Sequence, residues 1–271
     1  MDILFDIGGS RIRFTKVIGD HNIADAIIIK TPDTYIDSIA EIEAIVKQLA
    51  DGEQVNHLIG GIAGVLAKDG SKLLVSPNLR DWEKKPLMND LKRITGADNV
   101  VIKNDTDMTG LGEAVYGAGR DASIVAYMTF STGIGGSLIV DEKVAPYSFG
   151  FEPGFQIIND ETYKQLRDVS GSALKKNFGG KLFRDIKGEL TRKEIMKTVI
   201  AGINNTIAYW SPDVVVLGGG MTESFVIEDI KEELEKIAVR FPELPEIKFA
   251  EIEDTNGLYG GLAYRNQLLK S

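Results

Sequence analysis

Two glycine-rich turns open two cycles with the same order of elements, and this repetition constrains the fold more than any other feature of the chain. In the first cycle, Ile3 to Ile7, Ile12 to Val17 and Ile23 to Ile29 are β-prone runs broken at Gly8-Gly9-Ser10 and around Gly19-Asp20. Connections that short join antiparallel strands. Ile36, Ile39, Ile42, Val46 and Leu49 then recur at helical spacing and stop at Gly52. Strands follow at Leu58 to Ala63 and Val100 to Lys103, separated by a loop with Pro77, Trp82 and Pro86 and an amphipathic segment from Leu87 to Ile94.

The second cycle repeats that layout. After a helical stretch from Asp105 to Tyr116, Ile124 to Phe130 and Ser137 to Val140 read as strands joined across Ser131-Thr132-Gly133-Ile134-Gly135-Gly136. A helix near Ile195 to Trp210, an apolar strand Val214 to Leu217, a helix Phe225 to Val239, a strand Ile247 to Phe249 and a closing helix Gly257 to Leu269 complete it. Tyr147 to Gly188 has weak periodicity and receives no elements. A repeat at this scale predicts an α/β fold of two lobes with a cleft between them. The expected lobes are 1–106 plus 258–271, and 107–257.

Composition removes several classes of chemistry. The 271 residues contain no cysteine, which excludes disulfides, thiol nucleophiles and Cys-ligated zinc or iron–sulfur centres. Two histidines, His21 and His57, leave little for a His-rich metal site. With 31 Lys plus Arg against 40 Asp plus Glu, the net charge of −9 opposes a nucleic-acid or anionic-membrane surface. The N-terminus has no basic, apolar leader pattern and no run reaches the ~18 apolar residues of a membrane helix, so a cytoplasmic protein is expected.

The glycines carry the remaining signal. Asp6-Ile7-Gly8-Gly9-Ser10 ends a strand; its glycines let backbone N–H groups approach a phosphate, Ser10 adds a donor, and Asp6 suits a hydrated Mg²⁺. A plain hairpin turn is the alternative. Thr132, Gly133 and Gly135 sit in a second turn that is not a dinucleotide fingerprint, because strand rather than helix follows. It is not a Walker A loop, since Gly180-Lys181 precedes Leu182. Gly218-Gly219-Gly220 follows the apolar strand and opens room for a flat group such as a purine, or serves a loop with unusual dihedrals. Asn256-Gly257-Leu258-Tyr259-Gly260-Gly261 opens the last helix and permits tight helix packing.

In order along the chain, Asp6-Ile7-Gly8-Gly9-Ser10, Ser76-Pro77-Asn78-Leu79, Asn104-Asp105, Leu111-Gly112-Glu113-Ala114, Thr132-Gly133-Ile134-Gly135-Gly136, Glu152-Pro153-Gly154, Ser170-Gly171, Val216-Leu217-Gly218-Gly219-Gly220 and Gly257-Leu258-Tyr259-Gly260 resemble the actin-like ATPase and sugar kinase superfamily. More narrowly, the chain is similar to the ROK family of sugar kinases. The resemblance implies two RNase H-like lobes with mixed sheets and an ATP- and Mg²⁺-dependent transfer to a hexose-type sugar. It also implies Asp105 as general base, although Asp is also a good helix N-cap. Asn78, Asn104, Gly64 and Glu152 are the implied sugar contacts, and Asp6 the implied water-mediated Mg²⁺ contact.

Two departures stand out against that resemblance. The family usually reads Glu-x-Gly-His and then carries a Cys-rich zinc loop; here Phe155 replaces the His, the loop is absent, and no zinc is expected. The glutamate usual before Ser-Gly has no clear counterpart near Leu166-Arg167. Phe155 would offer an aromatic face to a pyranose. A catalytically weak sugar or nucleotide sensor is therefore the alternative to a kinase. The family's DNA-binding repressors carry a helix-turn-helix before the DxGG motif, which here begins at Asp6. Family members tend to dimerise, and the aromatics between Tyr147 and Phe155 suit either an interface or the core.

Overall fold

A computed structural model describes residues 1–159, 161–238, 242–252 and 254–270. The chain runs β1 (Asp2–Ile7), β2 (Arg11–Lys16), β3 (Ile27–Lys30), α1 (Tyr35–Ala50), β4 (His57–Ile62), β5 (Val65–Leu66), β6 (Leu73–Val75), α2 (Leu87–Thr95), β7 (Asn99–Asn104) and α3 (Asp105–Tyr116). It continues through β8 (Ile124–Phe130), β9 (Ile134–Val140), β10 (Lys143–Val144), β11 (Ile157–Asn159), β12 (Lys164–Gln165), α4 (Gly171–Asn177) and α5 (Glu189–Trp210). β13 (Val214–Gly218), α6 (Ile227–Ile237), β14 (Glu246–Phe249) and α7 (Asn256–Leu268) close it. Two compact units result: Met1–Tyr116 with Pro146–Gly150 and Ile252–Ser271, and Gly117–Ala145 with Phe151–Glu251.

The first unit holds a five-stranded sheet in the order β3-β2-β1-β4-β7, antiparallel across β3-β2-β1 and parallel across β1-β4-β7. Strand alternation divides its faces. Ile3, Phe5 and Ile7 pack with Ile42 and Val46 of α1 and Leu87 and Leu91 of α2. Leu4 and Ile59 point the other way and meet Leu258 and Leu262 of α7. All four are fully buried, and burying each such side chain contributes about 1.5–3 kcal/mol. Asp6 shares the parity of Leu4, so it lies on the α7 face. Arg265 near the end of α7 donates from Nε to Asp2 Oδ2 at 2.7 Å, fastening that helix to the start of β1.

The second unit repeats the topology as β10-β9-β8-β13-β14, antiparallel through β10-β9-β8 and parallel through β8-β13-β14. Ala126, Met128, Phe130, Val215 and Leu217 form its core with Val199 and Ile203 of α5 and Ile230 and Leu234 of α6.

The expected mixed sheets and flanking helices are present, with local corrections. The run from Ile23 pairs only as an isolated bridge to Val17, made by Ala24 N–H to the Lys16 carbonyl and Ile18 N–H to the Asn22 carbonyl, before β3 begins at Ile27. The second glycine turn is shorter than read: Ile134, Gly135 and Gly136 already belong to β9, with Gly135 opposite Thr129 and Gly136 opposite Met128. β13 extends one residue to include Gly218. In the helix expected from Phe225, α6 spans Ile227–Ile237, and Val239 lies outside the described residues.

Candidate functional site

Pairing registers assemble an acidic site in the first unit. Asp6 lies opposite Arg13 across the β1-β2 hairpin and beside Gly61 in the parallel β1-β4 pair. Arg13 Nη1 donates to Asp6 Oδ2 at 3.0 Å, and its Nη2 to Asp254 Oδ1 at 3.3 Å. Burial pushes the Asp6 carboxyl above the usual carboxylate range, while Arg13 opposes that rise. Gly257, in the first turn of α7, lets the helix start close to this carboxyl: a side chain there would come 3.1 Å from Asp6 Cγ. The positive end of a helix favours a carboxylate. Gly8 closes the turn, its N–H donating to the Arg11 carbonyl at 2.9 Å.

Asp105 is the first residue of α3, directly after β7. The competing reading as an N-cap is answered by its neighbour. Asn104 Oδ1 accepts from Thr106 N–H at 2.8 Å and Asp107 N–H at 3.3 Å, the bonds of a helix cap. Asp105 Oδ1 also accepts from Thr106 N–H, at 2.9 Å. Burial raises the Asp105 carboxyl to about 7, with the Asp6 and Asp107 charges adding to the rise and the Thr106 N–H opposing it. Tyr147 donates its hydroxyl to Asp107, and burial together with that carboxylate raises the Tyr147 phenol.

The remaining residues expected on the sugar side of this unit are tied to backbone. Asn104 Nδ2 donates to the Gly64 carbonyl at 3.0 Å, so both ends of its amide hold structure. Gly64 takes φ +130°, and a side chain there would meet the Val75 carbonyl at 2.5 Å. The Ser76-Pro77-Asn78-Leu79 loop is organised by Ser76, whose Oγ donates to the Ala63 carbonyl at 2.8 Å and accepts from Leu79 N–H at 3.2 Å. Asn78 thereby lies against Gly9, where an added Cβ would be 2.4 Å from its own Cβ. Gly9 is small because Asn78 is there, while Ser10 is exposed at the tip of the turn.

In the second unit the motifs support one another. Gly171 and Ser172 N–H groups donate to the Ser131 and Thr132 carbonyls at 2.8 and 3.0 Å, so Ser170-Gly171 fastens the turn that carries Thr132 and Gly133. Gly154 leaves space for the Ile134 carbonyl, 2.3 Å from where its Cβ would stand, and Pro153 packs over Gly136. Gly218 makes room for the Tyr127 hydroxyl, and Gly219, at φ +90°, for the Phe130 carbonyl. Gly133 and Gly220 have open space where a side chain would stand. Burial raises the Glu152 carboxyl. Phe155 is half exposed, and the Arg167 guanidinium stacks on one face of its ring, 4.2 Å from the centroid.

The sequence alone assigns no site role to Arg13, Tyr147 or Arg167. The hairpin register around Gly8-Ser10 would have paired Arg13 with Asp6; no sequence signal marks the other two. The donor set fits Mg²⁺, a hard cation that keeps several waters and needs one or two carboxylates besides substrate phosphates. Asp6 would hold it through water. Among the described residues no cluster of three or more His, Cys, Asp and Glu could hold a metal by itself. No helix among them is long and apolar enough to cross a membrane.

Comparison with known proteins places this architecture. A sequence profile of the ROK family matches residues 3–161 and 158–267. An uncharacterised protein of Clostridium perfringens is 29% identical over 300 residues, covering 97% of this chain and 96% of its own. A glucokinase of Thermotoga maritima is 24% identical, covering 81% of each chain, and an N-acetyl-D-glucosamine kinase of Mannheimia succiniciproducens 26%, covering 96% and 97%. A ROK hexokinase from Thermus thermophilus superimposes with a TM-score of 0.83 at 21% identity, covering 99% of both chains. A ROK family glucokinase from Streptomyces griseus, solved with glucose and AMPPNP, gives 0.78 at 23%, covering 97% and 98%. With the family profile spanning nearly its whole length, the chain belongs to the ROK family.

Proposed function

We propose that this ROK protein is an ATP-dependent sugar kinase that transfers the γ-phosphoryl group to a hydroxyl of a hexose-type sugar. The observation that carries this reading is Asp105: a partly buried carboxyl at a strand-to-helix junction, beside the Asn104 cap and against Gly61, and raised to about 7. A base with that value is half ionised near neutral pH and accepts a proton with useful driving force. The sugar hydroxyl oxygen forms the new bond to the γ-phosphorus, its proton passes to Asp105, and ADP leaves with the broken bond's electrons. Magnesium, when bound, neutralises phosphate charge. The chain's own contribution is Asp6 on the metal side, backbone N–H groups at Gly9-Ser10 and Thr132-Gly133 in turns shaped by Gly8 and its neighbours, and Asp105 at the attacking oxygen. The relatives named glucokinase and N-acetyl-D-glucosamine kinase support a hexose or N-acylated hexosamine as acceptor.

A coupled ADP-release assay over neutral hexoses, amino sugars and N-acetyl sugars tests the proposal. At least one sugar should stimulate ADP release above the sugar-free rate. If nucleotide binds while every sugar fails, the protein is a sensor of the same fold.

A further inference from the structure

The Asp6 carboxylate is not a free metal contact. Arg13 Nη1 already sits 3.0 Å from Oδ2, the pair is largely buried, and no other cation is recorded bonding to Asp6 among the described residues. A charge-assisted bond of this kind, out of bulk water, is among the stronger polar contacts a protein makes. Arg13 nevertheless has a second acceptor, Asp254, at 3.3 Å from Nη2, and Asp254 is exposed and shared with Arg11 at 3.5 Å. Arg13 Nε is buried with no hydrogen-bond partner, so the guanidinium is not held at every donor.

Resting on the kinase reading above, we propose that Arg13 is the resident counterion of Asp6, and that a hydrated magnesium ion arriving with the nucleotide takes its place while Asp254 retains the guanidinium. A hydrated magnesium ion brought to the Oδ2 edge is repelled by the guanidinium already there, and the exchange relieves that repulsion by moving Nη1 off Asp6. Asp254 is the acceptor that lets this happen without stranding a buried charge, because Arg13 is bonded to it before the exchange begins. Arg13 is thus a positioning residue that sets how strongly nucleotide binding depends on magnesium. Without the metal it shields the nucleotide phosphates from Asp6; with the metal present it opposes the same site.

The test is calorimetric and needs no turnover. A non-hydrolysable ATP analogue is titrated into the full chain with magnesium and, separately, with EDTA, and the ratio of the two dissociation constants is the gain from the metal. In R13Q, magnesium meets no competitor and metal-free nucleotide meets an unshielded Asp6, so the gain should rise about tenfold, the scale of one charge-assisted pair. In D254N, Arg13 has only Asp6 as an anionic partner, and the gain should fall below that of the parent. Because Asp254 is exposed, D254N decides the matter even where R13Q folds poorly. An unchanged or increased gain in D254N overturns the exchange, and so does a change of the same sign in both variants. A parent that binds no nucleotide under either condition overturns the kinase reading instead.

Discussion

Gly61 and Asp105 touch where only a hydrogen fits: a Cβ on Gly61 would stand 2.8 Å from Asp105 Cα. Gly61→Ala should therefore push the start of α3 away from β4 without removing any functional group. We expect kcat to fall by about 10²-fold, the cost of a misplaced reacting group, with the fold retained by circular dichroism.

Asp105 ties activity to pH in a stated direction. The base must be ionised, so kcat/KM for the parent should rise as pH increases through about 7 and level off above it. Asp105→Asn should lower kcat by about 10²- to 10⁴-fold and abolish that ionisation.

The same group makes a prediction about stability. Its folded value lies above the ordinary 3.8, so the folded state favours the protonated acid. That contribution is fully present below the ordinary carboxylate range and is lost as pH rises through about 7. Asp105→Asn, which never ionises, should melt at a higher temperature than the parent at pH 8, and the difference should shrink at pH 5. Equal melting differences at both pH values would contradict the raised value.

Gly260 lies under α3, where an added Cβ would meet the Met108 carbonyl at 1.7 Å. Gly260→Ala should destabilise the protein by about 2 kcal/mol or more, because two backbones must separate to admit one methyl. Thr34, whose hydroxyl caps α1 by accepting from Asp37 N–H, provides a calibrating contrast: Thr34→Ala should cost only about 1 kcal/mol and leave activity unchanged. Urea unfolding of both variants checks the order.

Much of the fold was legible because alternation and helical spacing are local signals. The five residues from Ile36 to Leu49 lie within α1, and Asp105 and Tyr116 are the ends of α3. The glycines were harder to interpret, since one residue type answers several demands. Gly9, Gly218 and Gly219 resemble ligand-facing glycines in sequence, yet each makes room for a protein group, namely Asn78, the Tyr127 hydroxyl and the Phe130 carbonyl. Such close approaches join residues far apart in the chain, and no window of sequence contains them. Asn104, a sugar contact implied by the family resemblance, has two backbone partners, the start of α3 and Gly64, that become visible only in three dimensions. The Arg167 stack on Phe155 likewise depends on the β11-β12 pairing of a segment with almost no periodicity.

The central claim is a proton taken by Asp105 as a sugar hydroxyl attacks ATP. Its most direct test is mass spectrometry of the sugar after incubation with ATP and magnesium, comparing the parent with Asp105→Asn. The parent should yield a sugar phosphate in step with ADP, while Asp105→Asn binds nucleotide normally and yields almost none. A variant that makes sugar phosphate at the parental rate would contradict the account.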